Sequence, residues 1–301
     1  MEILRKPKWL KSEKLGARKA REIISILRKY NLHTVCESAK CPNQGECFEN
    51  GTATFMILGE TCTRNCTFCA IDKTKKNLEP ADINEPKAIA KLSNELGLKY
   101  VVVTTVTRDD LPDGGASHFI EVIKQIRENC DPEIAIELLI SDLKGDLDLV
   151  KKIVVAGPDV LNHNVETVPR LYGVVRPMAD FERSLNVLQT AKNADNSILT
   201  KSGFMVGLGE TKIEVLELMR KLREVDVDII TIGQYMAPSK KHYPVAEYIH
   251  PDTFAFYKKE GEKMGFKLVE SAPLVRSSYH AERAKMILNK TPVRNPLFLQ
   301  H

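Results

Sequence analysis

No run of apolar residues in this chain reaches the ~20 needed to cross a bilayer, so a membrane-spanning protein is not expected. The opening stretch MEILRKPKWLKSEKLG is basic but has no continuous apolar core and no small-residue cleavage site, which argues against a secretory signal. Long polar or single-residue tracts of the kind that mark disordered tails are missing as well. There is no tandem repeat, and no glycine-rich dinucleotide or phosphate fingerprint, because Gly-Leu-Gly-Glu at 207–210 lacks the spacing for either. Charge of one sign is scarce: 44 basic against 40 acidic residues leave a net +4, interleaved along the chain, which basic surface helices explain without nucleic acid. With 43% hydrophobic and 28% charged residues, the composition is that of a soluble globular protein. A cytoplasmic location is the expectation, with neither nucleic acid nor membrane as partner.

What the sequence does have is cysteine in one place. Of seven cysteines, six fall between Cys36 and Cys69, and Cys130 stands alone. In an oxidising compartment such density would suggest disulfides; in a reducing cytoplasm it argues for metal. Cys130, at the end of an expected helix, reads as an ordinary buried thiol.

The pattern around this cluster alternates strand and helix. Apolar residues Ile23, Ile24, Leu27 and Tyr30 predict an amphipathic helix over 17–32. Strands are expected at 54–58, 100–105, 134–139, 160–164, 198–206 and 229–233, with helices between them at 85–96, 116–129, 147–154, 181–191 and 212–224. Asn84-Glu85-Pro86 has the composition of a helix start, and Thr211 with Glu214 that of a capping box. A further helix near 251–264, a short strand near 267–269 and a helix near 281–288 form a tail. Parallel strands need right-handed crossover helices, and six units are too few for a full eight-stranded barrel. The expected fold is therefore α/β: a partial, open (β/α)6 TIM-like barrel with N- and C-terminal extensions, a doubly wound sheet being the alternative. The expected division is 1–50 for an extension carrying the first cysteines, 51–240 for the barrel and 241–301 for a C-terminal extension.

Cys62, Cys66 and Cys69 lie in CTRNCTFC, with gaps of three and two residues. Thiolates suit iron–sulfur clusters and zinc. A [4Fe–4S] cube takes one ligand per iron, so three cysteines leave one iron open to a small molecule. The group follows a strand, on the face where α/β barrels build active sites. Zinc is the competing reading, although its pairs are usually CxxC twice. Cys36, Cys41 and Cys47, in CESAKCPNQGEC with gaps of four and five, read as a second cluster, with a structural zinc site or buried thiols as the alternative.

CxxxCxxC with Phe68 before the last cysteine is similar to the signature of the radical S-adenosylmethionine superfamily. Both cysteine spacings, together with Arg276-Ser277-Ser278-Tyr279 and the segments RKPKWL, TRDDLPDGGA, NHNVETV and GQYMAPS, resemble the lipoyl synthase family over about residues 5–289. Ser141-Asp142-Leu143-Lys144-Gly145-Asp146 and Arg176-Pro177-Met178 depart from the family's usual forms. The resemblance implies a sulfurtransferase that inserts two sulfur atoms, at C6 and C8, into a protein-bound N6-octanoyl-lysine by radical chemistry. Another radical sulfur inserter or a methylthiotransferase is the nearest alternative, and a fully ligated electron-transfer protein the alternative from another class. The cofactors implied are S-adenosyl-L-methionine and two [4Fe–4S] clusters. Cys62, Cys66 and Cys69 would hold the catalytic cluster, and Cys36, Cys41, Cys47 and Ser278 an auxiliary cluster serving as sulfur donor. Its alkoxide-held iron, harder than the thiolate-held ones, should be the most easily released. Glu137, Asn164 and Glu166 are candidates for cofactor binding, with Gly207 and Gly209 allowing close backbone approach. Arg108, Asp109 and Asp110 would order the substrate side, or form a salt-bridged loop. Arg276 would fix the Ser278 loop, and Tyr279 would pack against cluster or substrate. The partners implied are octanoylated lipoyl carrier domains (dehydrogenase E2 subunits or the glycine cleavage H protein), a low-potential electron donor and an iron–sulfur repair protein.

Overall fold

The computed structural model describes residues 5–10, 17–38, 41, 43, 46–47, 52–74 and 78–288. Seven strands form one sheet in sequence order: β1 Thr52–Ile57, β2 Tyr100–Thr105, β3 Ala135–Leu139, β4 Val160–Asn162, β5 Leu199–Val206, β6 Ile229–Gln234 and β7 Leu268–Ser271. Every neighbouring pair is parallel. The strands are near-continuous runs of buried residues, as sheets covered on both faces require. Between them run the helices Glu85–Glu95, Ala116–Asn129, Leu147–Val155, Phe181–Ala194 and Lys212–Glu224, and Pro251–Lys263 precedes β7. The tail strand is thus a seventh member of the wall rather than an appendage to six units.

A doubly wound sheet would reverse its strand order partway across; this one does not, and it curls. Tyr100, Val102, Ala135, Val160, Leu199 and Ile229, from five different strands, meet in one cluster inside the curl. Ala281 and Ala284, from the short helical turn Ala281–Ala284, join them. The same turn spans the opening between the edge strands: Thr52 on β1 donates to Glu282 at 3.1 Å, and Arg283 donates to Glu270 on β7 at 2.7 Å. The 281–288 region is a 3-10 turn running into the short helix Lys285–Leu288, not one helix.

Local chemistry sets the helix ends. Thr211 and Glu214 form the expected capping box, and Asp146 and Asp180 cap two further helices with their side chains. Asn84 does not cap with its side chain; Pro86 starts that helix, and Asp82 accepts from the Asn84 N–H instead. The expected strand 160–164 ends at Asn162, because Glu166 turns into the left-handed region (φ 64°) and pairs with β5 at Phe204. Cys130 closes the helix Ala116–Asn129, and its thiol donates to the Ala90 carbonyl. No helix among the described residues is long and apolar enough to cross a membrane.

Under the helices, Asp228 accepts from Lys192 at 2.8 Å, from Lys267 at 2.8 Å and from the Thr200 N–H at 3.0 Å. Lys192 and Asp228 are both buried. Removing one partner strands the other's charge in a dry site. Asp228→Ala is expected to cost about 3–5 kcal/mol in anaerobic urea unfolding; a loss under ~1 kcal/mol, the range of exposed pairs, would contradict a dry pair.

Candidate active site and cluster ligands

Leu58 and Gly59, both at positive φ (67° and 87°), turn the chain out of β1 into the Cys62–Cys69 loop. The loop is fastened along its length. The Cys62 N–H donates to Asp72 at 2.8 Å, and the Thr63 N–H and hydroxyl both reach the Thr107 carbonyl at 2.9 Å. The Thr67 N–H donates to Val175, and the Tyr243 N–H donates to Thr67. Lys73 Nζ caps the Cys66 carbonyl at 2.7 Å, and the His242 ring meets the Cys69 carbonyl at 3.1 Å. Arg64, inside the loop, forks onto two carboxylates: Nε and Nη2 donate to Asp109 at 2.7 and 3.0 Å, and Nη1 donates to Asp142 at 2.9 Å. Fixed planar donors make such a fork more specific than a lysine.

Cys66 and Cys69 both feel their neighbouring cysteines. Burial pushes Cys66 up, the Arg176 guanidinium opposes the rise, and Cys62 adds to it. Burial pushes Cys69 up to about 11, with Cys66 and Cys62 among the further causes. Buried thiols that discourage each other's ionisation call for a cation to hold them as thiolates. Three thiols in one fastened loop are the donor type that an iron–sulfur cluster takes, one per iron.

The second triad is assembled from both ends of the chain. Cys36 lies in the helical turn Val35–Ser38; the Cys41 N–H donates to the Cys36 carbonyl at 2.9 Å and the Cys47 N–H to Asn43 at 3.0 Å. The Cys36 thiol, itself pushed up chiefly by its bond to Cys41 and by burial, helps hold Cys41 down to about 7, aided by the Asn43 N–H and Arg276. Burial pushes Cys47 up to about 12, Cys41, Glu282 and Glu46 adding to it, and the His280 N–H eases it. The Arg276 charge is thus felt at Cys41 and the His280 N–H donates to Cys47, and Ser278 lies between these two residues in sequence, in the turn where the Tyr279 N–H donates to Arg276 at 2.9 Å. Asn43 Nδ2 ties the segments together on the Leu274 carbonyl at 2.7 Å. The donor types, three thiols and the hydroxyl of Ser278, fit a cluster held by three thiolates and one alkoxide. Tyr279 leans on the His280 ring, and its hydroxyl donates to Glu46. Gly233 on β6 is what admits this segment: a Cβ there would lie 2.2 Å from the Val275 carbonyl oxygen.

The remaining residues singled out from the sequence divide in two. Asn164 and Glu166 stand together, Asn164 Nδ2 donating to Glu166 at 3.0 Å. Burial pushes the Glu166 carboxyl up, against the pull of Arg176, the same arginine that flanks Cys66. The other three are occupied elsewhere. Glu137 is wholly buried inside the barrel, where Lys201 (2.8 and 3.0 Å), Tyr100 (2.8 Å) and Asn162 (2.9 Å) fill its oxygens. A Cβ on Gly207 would strike Gln234 and the Glu247 carbonyl, so protein packing and its φ of 96° explain that glycine. The Gly207 and Leu208 N–H groups are taken by the Glu210 carboxylate, and Gly209 needs glycine for its φ of 106°. Arg108 pairs with Asp110 and with the Leu58 carbonyl, and Asp109 with Arg64, so this triplet is a salt-bridged loop bracing the cysteine loop.

Sequence reasoning missed Arg64, Asp142, Arg176 and Ser277. Arg64 lies between two cysteines, which was a usable signal; nothing in sequence pairs it with Asp142. His163 is buried, its Nδ1 against the Ile140 carbonyl at 3.0 Å; burial, then the Arg176 charge, hold its pKa down to about 4, so it is neutral there.

A family model described as the Radical SAM superfamily matches residues 56–222. A protein named Lipoyl synthase from Caldicellulosiruptor saccharolyticus is 56% identical over 284 residues, 94% of this chain and 99% of its own length. The protein of the same name from Pseudomonas fluorescens is 51% identical over 288 residues, 95% of this chain and 84% of its own length. Among solved structures, methylornithine synthase (PylB) superposes with a TM-score of 0.54 at 15% identity, covering 94% of this chain and 95% of that one. HydG, a maturase of the [FeFe]-hydrogenase, does so with 0.53 at 15% identity, covering 85% and 69%. At that identity the two structures speak for the fold.

Two outcomes test this geometry. Gly233→Ala should expel the C-terminal segment and halve the iron per chain, from about eight to about four, while circular dichroism stays at the parent level; full iron would mean the segment has room to spare. Burial alone would raise the Asp142 carboxyl, but the Arg64 hydrogen bonds and charge hold it down to about 2. A carboxyl held down when folded gives stability above its unfolded value near ~4 and loses it as pH falls toward ~2, roughly 2 kcal/mol in all. Melting of Asp142→Asn between pH 5 and 2 should therefore show a flatter acid limb than the parent; parallel limbs would assign the acid sensitivity to other groups.

Proposed function

Because the chain belongs to the radical SAM superfamily and, within it, to the lipoyl synthases, we infer that it converts a protein-bound N6-octanoyl-lysine to lipoyl-lysine by placing sulfur at C6 and C8. Lipoyl synthesis uses S-adenosyl-L-methionine and two [4Fe–4S] clusters. When bound, these supply the electron and the hydrogen-abstracting power that saturated carbons require, since no acid or base in the site can deprotonate them. The protein's share is placement and exclusion of water.

In this reading Cys62, Cys66 and Cys69 hold the catalytic cluster, and one iron is left for S-adenosyl-L-methionine. Cys36, Cys41, Cys47 and Ser278 hold the auxiliary cluster, which is a substrate, because its sulfur ends in the product. Asn164 and Glu166 contact the cofactor. The single observation that carries the assignment is the meeting of distant segments: two residues before Ser278 the Arg276 charge acts on Cys41, and two residues after it the His280 N–H donates to Cys47. Ser277, beside it, reaches Asn164. Arg64, Asp109 and Asp142 hold the catalytic loop in place, and Arg176 offsets negative charge at Cys66. Glu137, Gly207 and Gly209 serve the scaffold instead of the cofactor.

The substrates are octanoylated lipoyl carrier domains, of E2 subunits or the glycine cleavage H protein. A low-potential electron donor belongs to the same proposal, because reduction must be supplied for each cofactor used. So does an iron–sulfur repair protein, because a cluster that gives up sulfur must be rebuilt. A reducing cytoplasm suits the six clustered cysteines, all free thiols. The division into 1–50, 51–240 and 241–301 remains our working description, with β7 lying in the last part.

The test is mass spectrometry of an octanoyl-lysyl peptide incubated anaerobically with reconstituted protein, reductant and S-adenosyl-L-methionine. A gain of two sulfurs through a one-sulfur species is the expected result. No sulfur gain, with both clusters intact and the cofactor cleaved, would sink the substrate assignment.

A further inference from the structure

Inside the barrel a chain of hydrogen bonds leads from a buried charge to the cofactor side, and Ser277 is its middle link. Glu137 and Lys201 are both buried, 0% and 3% exposed, which fixes a carboxylate in the lumen. Asn162, at the end of β4, spends both amide hydrogens from Nδ2: one on Glu137 at 2.9 Å, the other on the Ser277 hydroxyl at 3.0 Å. Its Oδ1 is buried without a partner among the described residues. The orientation is kept despite that cost, because only the amide nitrogen can donate to the carboxylate; an oxygen turned toward it would be repelled.

The donor sense then propagates. The Ser277 oxygen accepts from Asn162, so its single proton is free to go to Asn164 Oδ1, at 3.2 Å. With its oxygen so engaged, Asn164 turns Nδ2 to Glu166, at 3.0 Å. Room for the Asn164 side chain comes from Gly203, where a Cβ would lie 2.9 Å from Asn164 Oδ1 and 2.5 Å from Thr231 Oγ1. Neither amide orientation is left to chance: the Glu137 charge sets the first, and Ser277 passes it to the second.

We propose that Ser277 is a positioning residue for the reaction, whose hydroxyl orients Asn164, and through it Glu166, to receive S-adenosyl-L-methionine. Ser278 holds the auxiliary cluster; its neighbour sets the geometry at the other site. Adjacent serines of one segment thereby register the two sites against each other. The inference rests on the reading of Asn164 and Glu166 as cofactor contacts.

The experiment measures S-adenosyl-L-methionine affinity by anaerobic equilibrium dialysis on chains with matched iron content, without turnover. Ser277→Thr and Ser277→Val have the same shape and differ only in the hydroxyl, so any effect of bulk on folding or cluster loading is common to both. The threonine variant should bind like the parent, within about threefold, and the valine variant about tenfold more weakly, the worth of one buried hydrogen bond. The electron paramagnetic resonance spectrum of the reduced catalytic cluster should change on cofactor addition in the threonine variant as in the parent, and less in the valine variant. Equal affinity of the two variants overturns the proposal. Asn164→Ala separates this from failure of the underlying reading: if it weakens binding while the serine pair does not differ, the relay is wrong. If Asn164→Ala binds as tightly as the parent, Asn164 is no cofactor contact and the proposal falls with it.

Discussion

A carboxylate deep in a protein is costly unless its oxygens are filled, and the Glu137 carboxylate is filled from three strands at once. Tyr100 on β2, Asn162 on β4 and Lys201 on β5 all donate to a residue of β3. Burial, then the Glu137 charge, raise the Tyr100 phenol far above its ordinary range, so it stays a donor. The wall can therefore curl only to the curvature at which these groups meet. Everything placed in the lumen afterwards, the C-terminal segment included, is built against that centre.

Around it the structure separates two kinds of fastening. Outside the lumen, Arg64 on its carboxylate fork holds the Cys62–Cys69 loop to the ends of β2 and β3. Inside, the segment after β7 is held by absence of a side chain at Gly233 and by polar contacts to Asn43, Asn162 and Asn164. The first fastening is ionic and dry. The second relies largely on single neutral hydrogen bonds, each worth ~1 kcal/mol, with the Arg283–Glu270 ion pair at its far end.

Much of this was legible in the sequence. Buried parallel strands announce themselves as apolar runs such as Tyr100–Thr105, and the cysteine spacings, being local, survive any error about the fold. The capping box at Thr211 is equally local. What could not be read is what depends on curvature. Glu137 looks like a cofactor ligand until the curl brings Lys201 beside it. Gly207 looks like an approach point for a ligand until Gln234 and Glu247 occupy the space. Arg64 and Asp142 carry no periodic signature, since they pair across 78 residues, and Arg176 serves a loop rather than a periodic element. Asn84 shows the reverse failure: a favoured capping residue type left unused because Pro86 and Asp82 already start the helix.

The seam between β1 and β7 is closed by residues from opposite ends of the chain, Thr52 with Glu282 and Asn43 with Leu274. These are among the longest sequence separations in the molecule, and such contacts form late. During synthesis, domains begin to fold from the N-terminal side, so Cys62, Cys66 and Cys69 can find their loop while the chain is still growing. In the proposed ligand set Cys36, Cys41 and Cys47 leave the ribosome earlier still, roughly 230 residues before Ser278. Those thiols must wait, reduced and unmatched, until position 278 has emerged.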